Sequence, residues 1–196
     1  MCGRFYIDDD TAREIEKTIR LVDEKLKMER RSKDIHPTES APVISYQQGG
    51  MFLADKKWGF PGFDSGKVIF NARAESVLEK KMFRESVLKR RLVIPAAGFY
   101  EWNQKKEKVT FTSAVQEQPV LYMAGCYNKF GNEERFVILT TGANDSMVDV
   151  HERMPLLLKY QELEEWLRDD RRLEDFLHSE PHGLKREMEY EQQTLF

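Results

Sequence analysis

Turn-forming residues cut the middle of this chain into short runs rich in β-branched and aromatic side chains. Residues 43–47, 51–55, 68–71 and 92–95 have the length and composition of strands, and Gln48-Gly49-Gly50 between the first two reads as a hairpin turn. Residues 99–102 and 109–112 flank the polar segment 104–108 as a second hairpin. Residues 120–127 pair with 135–141 around Phe130-Gly131-Asn132. Helical spacing is rarer. Ile15, Ile19, Val22 and Leu26 mark a helix within 11–31, capped by Asp10 or Thr11. Residues 76–90, 161–168 and 172–178 read as further helices. Helices and strands do not alternate, which argues against a doubly wound parallel sheet. The expected fold is α+β: a single domain over residues 1–196, with a mostly antiparallel, barrel-like sheet and a few flanking helices. From Glu187 onward an acidic tail, 187–196, is expected to be loosely held.

The chain has 196 residues, 40% of them hydrophobic, enough for one real core. Its formal net charge is -3, so any nucleic-acid binding must come from a local basic patch. The two cysteines, Cys2 and Cys126, form no C-x-x-C pair, and the four histidines are scattered. That pattern predicts neither a metal site nor a disulfide framework and fits a reducing cytoplasm. The start MCGRFYIDDD lacks the layout of a secretory signal, and no apolar run is long enough for a membrane helix. Without coiled-coil heptads, a monomer is expected.

Four short segments carry groups suited to chemistry. Removal of Met1 would leave Cys2 with an α-amine (pKa ~8) and a thiol (~8.5) on adjacent carbons, a pair that closes on an aldehyde as a five-membered thiazolidine. Phe70-Asn71-Ala72-Arg73-Ala74-Glu75 ends a strand with a polar cluster, in which Arg73 offers a fork for phosphate. Phe99-Tyr100-Glu101-Trp102 sets a carboxylate among aromatics, where enclosure would raise its pKa and suit it to proton transfer. His151-Glu152-Arg153-Met154-Pro155 supplies a candidate proton shuttle. Taken singly, each also fits a plain structural role: a frayed terminus, a turn Asn beside an Arg–Glu pair, a solvent-facing Glu and a hydrogen-bonded His. Basic and aromatic residues are interleaved among these segments. They include Arg4, Phe5, Trp58, Phe60, Arg73, Lys81, Arg90, Arg91 and Arg153, a mixture suited to a single strand of nucleic acid and equally to surface charge plus core aromatics.

Together these segments resemble the SOS-response-associated peptidase (SRAP) family. The matching elements run in order as Met1-Cys2-Gly3-Arg4-Phe5, Trp58-Gly59-Phe60-Pro61, Asn71-Ala72-Arg73-Ala74-Glu75, RLVIPAAGFYEW at 91–102, TTGAN at 140–144 and HERMPLL at 151–157. The resemblance covers roughly residues 1–160. It implies a β-rich α+β domain that uses no metal or organic cofactor, acting on single-stranded DNA with abasic sites and attaching to them through Cys2. It also implies that Asn71 holds the free N-terminus, that Glu101 handles protons on the α-amine and helps remove Met1, and that His151 acts as acid on the deoxyribose. Arg4, Arg73, Lys81 and Arg153 would meet phosphates, and Trp58 would stack on a base. Two stretches depart from the family pattern: His36-Pro37-Thr38-Glu39-Ser40-Ala41-Pro42, and the tail 185–196. Nothing is carried over to either. The expected function is covalent capture of abasic sites. The alternatives are a thiol peptidase acting on other proteins, and a non-catalytic single-stranded DNA-binding module.

Overall fold

A computed structural model of the chain describes residues 2–18, 21–22, 33–47, 49–64 and 66–188. The first half holds β1 (Phe5–Ile7), α1 (Asp9–Thr18), β2 (Leu21–Val22), β3 (Lys33–Ile35), β4 (Ser40–Gln47), β5 (Gly50–Trp58), β6 (Phe60–Pro61), β7 (Val68–Ile69) and β8 (Asn71–Arg73). A 3-10 turn at Ala74–Ser76 leads to α2 (Lys81–Lys89) and then β9 (Arg91–Ala96) and β10 (Gly98–Trp102). The second half holds β11 (Lys108–Ser113), β12 (Leu121–Phe130), β13 (Glu133–Gly142), β14 (Arg153–Pro155), β15 (Leu157–Leu158), α3 (Leu163–Arg168), α4 (Leu173–Leu177) and β16 (Leu184–Met188).

The strands form two main sheets. One runs β16-β11-β10-β1-β3, and the other runs β14-β13-β12-β9-β4-β5-β2 with β8 and β15 attached beside it. Most pairings are antiparallel, while β2, β8 and β13 include parallel ones. The larger sheet is buried on both faces, and the alternation of its side chains sorts them into two cores. Leu92, Ile94, Leu121, Met123, Phe136 and Ile138 meet Phe5, Phe99 and Phe111 of the smaller sheet. Their neighbours Val93, Tyr122, Ala124, Val137 and Leu139 point the other way, onto Ile15, Phe83, Trp166 and Phe176 of the helices. Each large apolar side chain buried in this way contributes roughly 1.5–3 kcal/mol relative to exposure. The α+β architecture expected from the sequence, a mostly antiparallel, barrel-like sheet with flanking helices, is the observed one.

Several boundaries differ from the sequence reading. The first helix ends at Thr18, and its first turn is capped by Asp8, whose Oδ1 accepts the Thr11 N–H at 2.8 Å. Leu21–Val22 instead pairs in parallel with Phe52–Leu53, so sheet formation overrides helical spacing there. The remainder of the expected helix, 19–20 and 23–31, lies outside the described residues, as does Gln48 of the first hairpin. That hairpin closes through Gln47 opposite Gly50, with Gly49 at φ +85°. The second helix starts at Lys81, not Ser76, because Lys80 is extended. The tail expectation is corrected for Glu187 and Met188, which lie in β16 paired with Thr110 and Val109. Residues 189–196 lie outside the described residues.

Candidate active site

The start of the chain is a structural strand. Phe5 pairs with Phe99 and Tyr6 with Gly98, which carries Cys2 up alongside β10. Gly98 permits this approach, since a Cβ there would sit 2.5 Å from the Phe111 carbonyl oxygen and 2.7 Å from Tyr6 Cε1. The Arg4 carbonyl accepts the Tyr100 N–H at 3.0 Å and the Cys2 thiol at 3.9 Å. Cys2 is fully buried in the core between the sheets. Burial raises its thiol pKa, and the Glu101 carboxylate raises it further, so the thiol is held protonated at neutral pH. Glu101 is itself 5% exposed. On β10 it shares the buried face with Phe99, while Tyr100 and Trp102 turn outward.

Asn71 comes to Cys2 from a different part of the chain. β8 lies parallel to β13, with Asn71 opposite Ile138, and Asn71 Nδ2 donates to the Cys2 carbonyl at 3.0 Å. The Asn71 Oδ1 is buried and has no hydrogen-bond partner among the described residues. The preceding residue, Phe70, is pinned through its carbonyl, which accepts the Trp58 indole N–H at 2.8 Å and the Ile138 N–H at 3.1 Å. Trp58 is fully buried, packed on Phe5, Phe70 and Phe136 with ring centroids 5.1, 5.8 and 6.2 Å away. It therefore presents no face to a base, and the expectation of a stacking role for it is corrected. It supports the site from within the core.

His151 is half-buried at the entrance to β14. Its Nδ1 accepts the Arg153 N–H at 2.9 Å and lies 3.2 Å from the Arg153 carbonyl oxygen. The Arg153 guanidinium holds both oxygens of Glu75, at 2.7 and 2.8 Å, and donates to the Thr140 carbonyl at 2.6 Å. That pairing keeps the Glu75 carboxyl below its ordinary pKa. Arg4 is likewise engaged, with Asp34 and over the Tyr100 ring. Arg91 is buried: it caps α2 at the Val87 and Leu88 carbonyls and binds the Trp166 carbonyl and Asp170. It is a structural cation rather than a surface one.

Arg73 and Lys81 are exposed and line a cleft of about 570 Å³ beside Asn71. Two residues absent from the sequence reading line the same cleft: Lys80, and Phe63, which is 90% exposed. Phe63 lies in the turn-rich stretch Pro61-Gly62-Phe63-Asp64, and an aromatic so placed has no strand partner to bury it, which is the signal that would have found it. Among the described residues no group of His, Cys, Asp and Glu is placed to hold a metal ion, and no helix is long and apolar enough to cross a membrane.

Comparison with known proteins fits this arrangement. The abasic site processing protein YoaM of Bacillus subtilis is 30% identical over 160 residues, covering 76% of this chain and 70% of that protein. The abasic site processing protein YoqW of the same organism is 31% identical over 160 residues, covering 76% of this chain and 71% of its own length. A crystal structure of a protein from Bacteroides thetaiotaomicron superposes with a TM-score of 0.79 at 21% identity, covering 97% of this chain and 93% of the other, which establishes likeness of fold. The profile described as SOS response associated peptidase (SRAP) matches residues 1–192, and the chain belongs to that family.

Proposed function

We propose that this chain captures abasic sites in single-stranded DNA as a covalent thiazolidine at Cys2, shielding the site from strand scission during the response to DNA damage. The observation that carries the reading is the meeting of Cys2, Asn71 and Glu101, from separate segments of the chain, beside a cleft with Arg73, Lys80 and Lys81 on its wall. The relatives' names, abasic site processing proteins, support the abasic-site part of this reading.

The steps balance without a redox partner. Hydrolysis first removes Met1, with Glu101 assisting, and frees the Cys2 α-amine. The buried Asn71 Oδ1, without a hydrogen-bond partner among the described residues, is an acceptor suited to that amine, while Asn71 Nδ2 holds the Cys2 carbonyl. Single-stranded DNA lies in the cleft, its phosphates on Arg73, Lys80 and Lys81 and a base on Phe63. The sugar C1′–O4′ bond breaks, O4′ takes a proton from His151, the C1′ hydroxyl gives its proton to water, and C1′ becomes an aldehyde. The Cys2 amine adds to C1′ and water leaves, giving an imine. The thiol then adds across the C=N bond: sulfur bonds to C1′ and the thiol proton passes to nitrogen. Because burial keeps the thiol protonated, the amine attacks first and the thiol closes the ring.

A peptidase acting on other proteins would need a thiolate activated by a histidine, whereas Cys2 is buried beside a carboxylate that disfavours the thiolate. The test is Cys2→Ala on a single-stranded oligonucleotide with one abasic site. Wild type yields a heat-resistant adduct on a denaturing gel, while Cys2→Ala yields only an imine that needs borohydride to persist. A heat-resistant adduct from Cys2→Ala contradicts the thiazolidine.

A further inference from the structure

The clasp between Glu75 and Arg153 links the segment that follows Asn71 to the segment that follows His151. Glu75 stands on the 3-10 turn directly after β8, two residues beyond Arg73 and four beyond Asn71, the residue that holds Cys2. Arg153 opens β14 and faces Gly142 across the sheet. β13 lies between them, pairing with β8 along one edge and β14 along the other, and Arg153 also grips its Thr140 carbonyl. The same residue's backbone fixes His151, whose Nδ1 faces both the N–H and the carbonyl of Arg153. A neutral ring accepts from the N–H, and a protonated ring donates to the carbonyl. One orientation of the ring thus serves both protonation states, with the Nε2–H retained in each.

We propose that Glu75 is a positioning residue: through both oxygens it anchors Arg153, and the Arg153 backbone in turn sets the His151 ring relative to the Asn71–Cys2 half of the site. The Arg153 side chain is 13% exposed and holds Glu75 and the Thr140 carbonyl through its two terminal nitrogens. The inference rests on the His151 role given under the proposed function.

The experiment uses the full chain with Glu75→Ala, Glu75→Gln and His151→Ala. Three readouts are taken: the crosslinking rate at saturating abasic single-stranded DNA, the affinity for an undamaged strand across salt concentrations, and the ¹⁵N shifts of the His151 ring. Glu75→Ala is expected to slow crosslinking about 10–100-fold, the scale of a misplaced acid, and to convert the single Nε2–H tautomer signature into a mixture. Glu75→Gln keeps one acceptor and recovers part of the rate. Affinity for the undamaged strand does not weaken in either variant. An unchanged rate or an unchanged ring signature in Glu75→Ala overturns the proposal. A loss of affinity with a salt slope shallower by about one phosphate contact also overturns it, since Glu75 would then be acting through DNA binding. If His151→Ala crosslinks at the wild-type rate, the His151 role fails, while the ring signature still decides whether the clasp orients it.

Discussion

Replacing Trp58 and Phe63 separately would distinguish a core aromatic from a DNA-facing one. Trp58 is fully buried, touches three aromatic rings and donates its indole N–H to the Phe70 carbonyl. Trp58→Phe removes that bond, but the Phe70 carbonyl keeps the Ile138 N–H, so the hydrogen-bond loss is about 1 kcal/mol. The smaller ring leaves a gap costing about 1–2 kcal/mol more. The sum, about 2–3 kcal/mol, lowers Tm by about 4–12 °C for a domain of this size. Phe63 is 90% exposed, so Phe63→Ala changes stability by less than about 0.5 kcal/mol. Losing one stacked base costs about 1–3 kcal/mol of binding, or about 5–150-fold in Kd. Thermal unfolding and fluorescence anisotropy with an undamaged oligonucleotide measure both quantities. The reasoning is refuted if Phe63→Ala binds like wild type while Trp58→Phe loses affinity without losing stability.

Other outcomes follow from the same structure. Gly98→Ala drives a methyl into the Phe111 carbonyl and Tyr6 ring, so it should lower stability by about 1–3 kcal/mol and slow crosslinking by shifting Cys2; unfolding curves and gel kinetics check both. Burial raises the Cys2 thiol and pushes the Cys126 thiol up to about 12, so the folded chain keeps protons that the unfolded chain releases above pH ~8.5. The thiols' contribution to stability should be flat below that pH and fall above it by at most about 1.4 kcal/mol per pH unit for each thiol, and Cys126→Ala should reduce the slope in denaturant titrations. Arg73→Ala and Lys81→Ala should each flatten the salt dependence of single-strand binding by about one phosphate contact, measured by anisotropy across salt concentrations.

Local patterns were legible and long-range partnerships were not. The alternation in Phe99-Tyr100-Glu101-Trp102 puts Phe99 and Glu101 on one face, and the structure buries that face. The hairpins closing at Gly49 and Gly131 carried their own turn chemistry. By contrast, β16 has one buried residue followed by four exposed ones, so it shows no alternation; only its ladder with β11 makes it a strand. The helical spacing through Val22 was real but lost to pairing with β5. At the site, the residue types suited to chemistry could be picked out singly, yet Asn71 and Cys2 meet across 69 positions through a parallel pairing that no periodicity reveals. The arginines illustrate the same limit. Charge and the family resemblance suggested phosphate for Arg4 and Arg153, and only the fold reveals that Asp34 and Glu75, 30 and 78 positions away, pair with them.

The central claim is tested most directly by intact mass spectrometry of the purified protein before and after reaction with single-stranded DNA bearing one abasic site. The expected result is a free protein lacking Met1, and an adduct whose mass is that protein plus the DNA less one water, stable to heat. Protein confirmed to lack Met1 that forms no such adduct, or an adduct that forms equally well without Cys2, would contradict it.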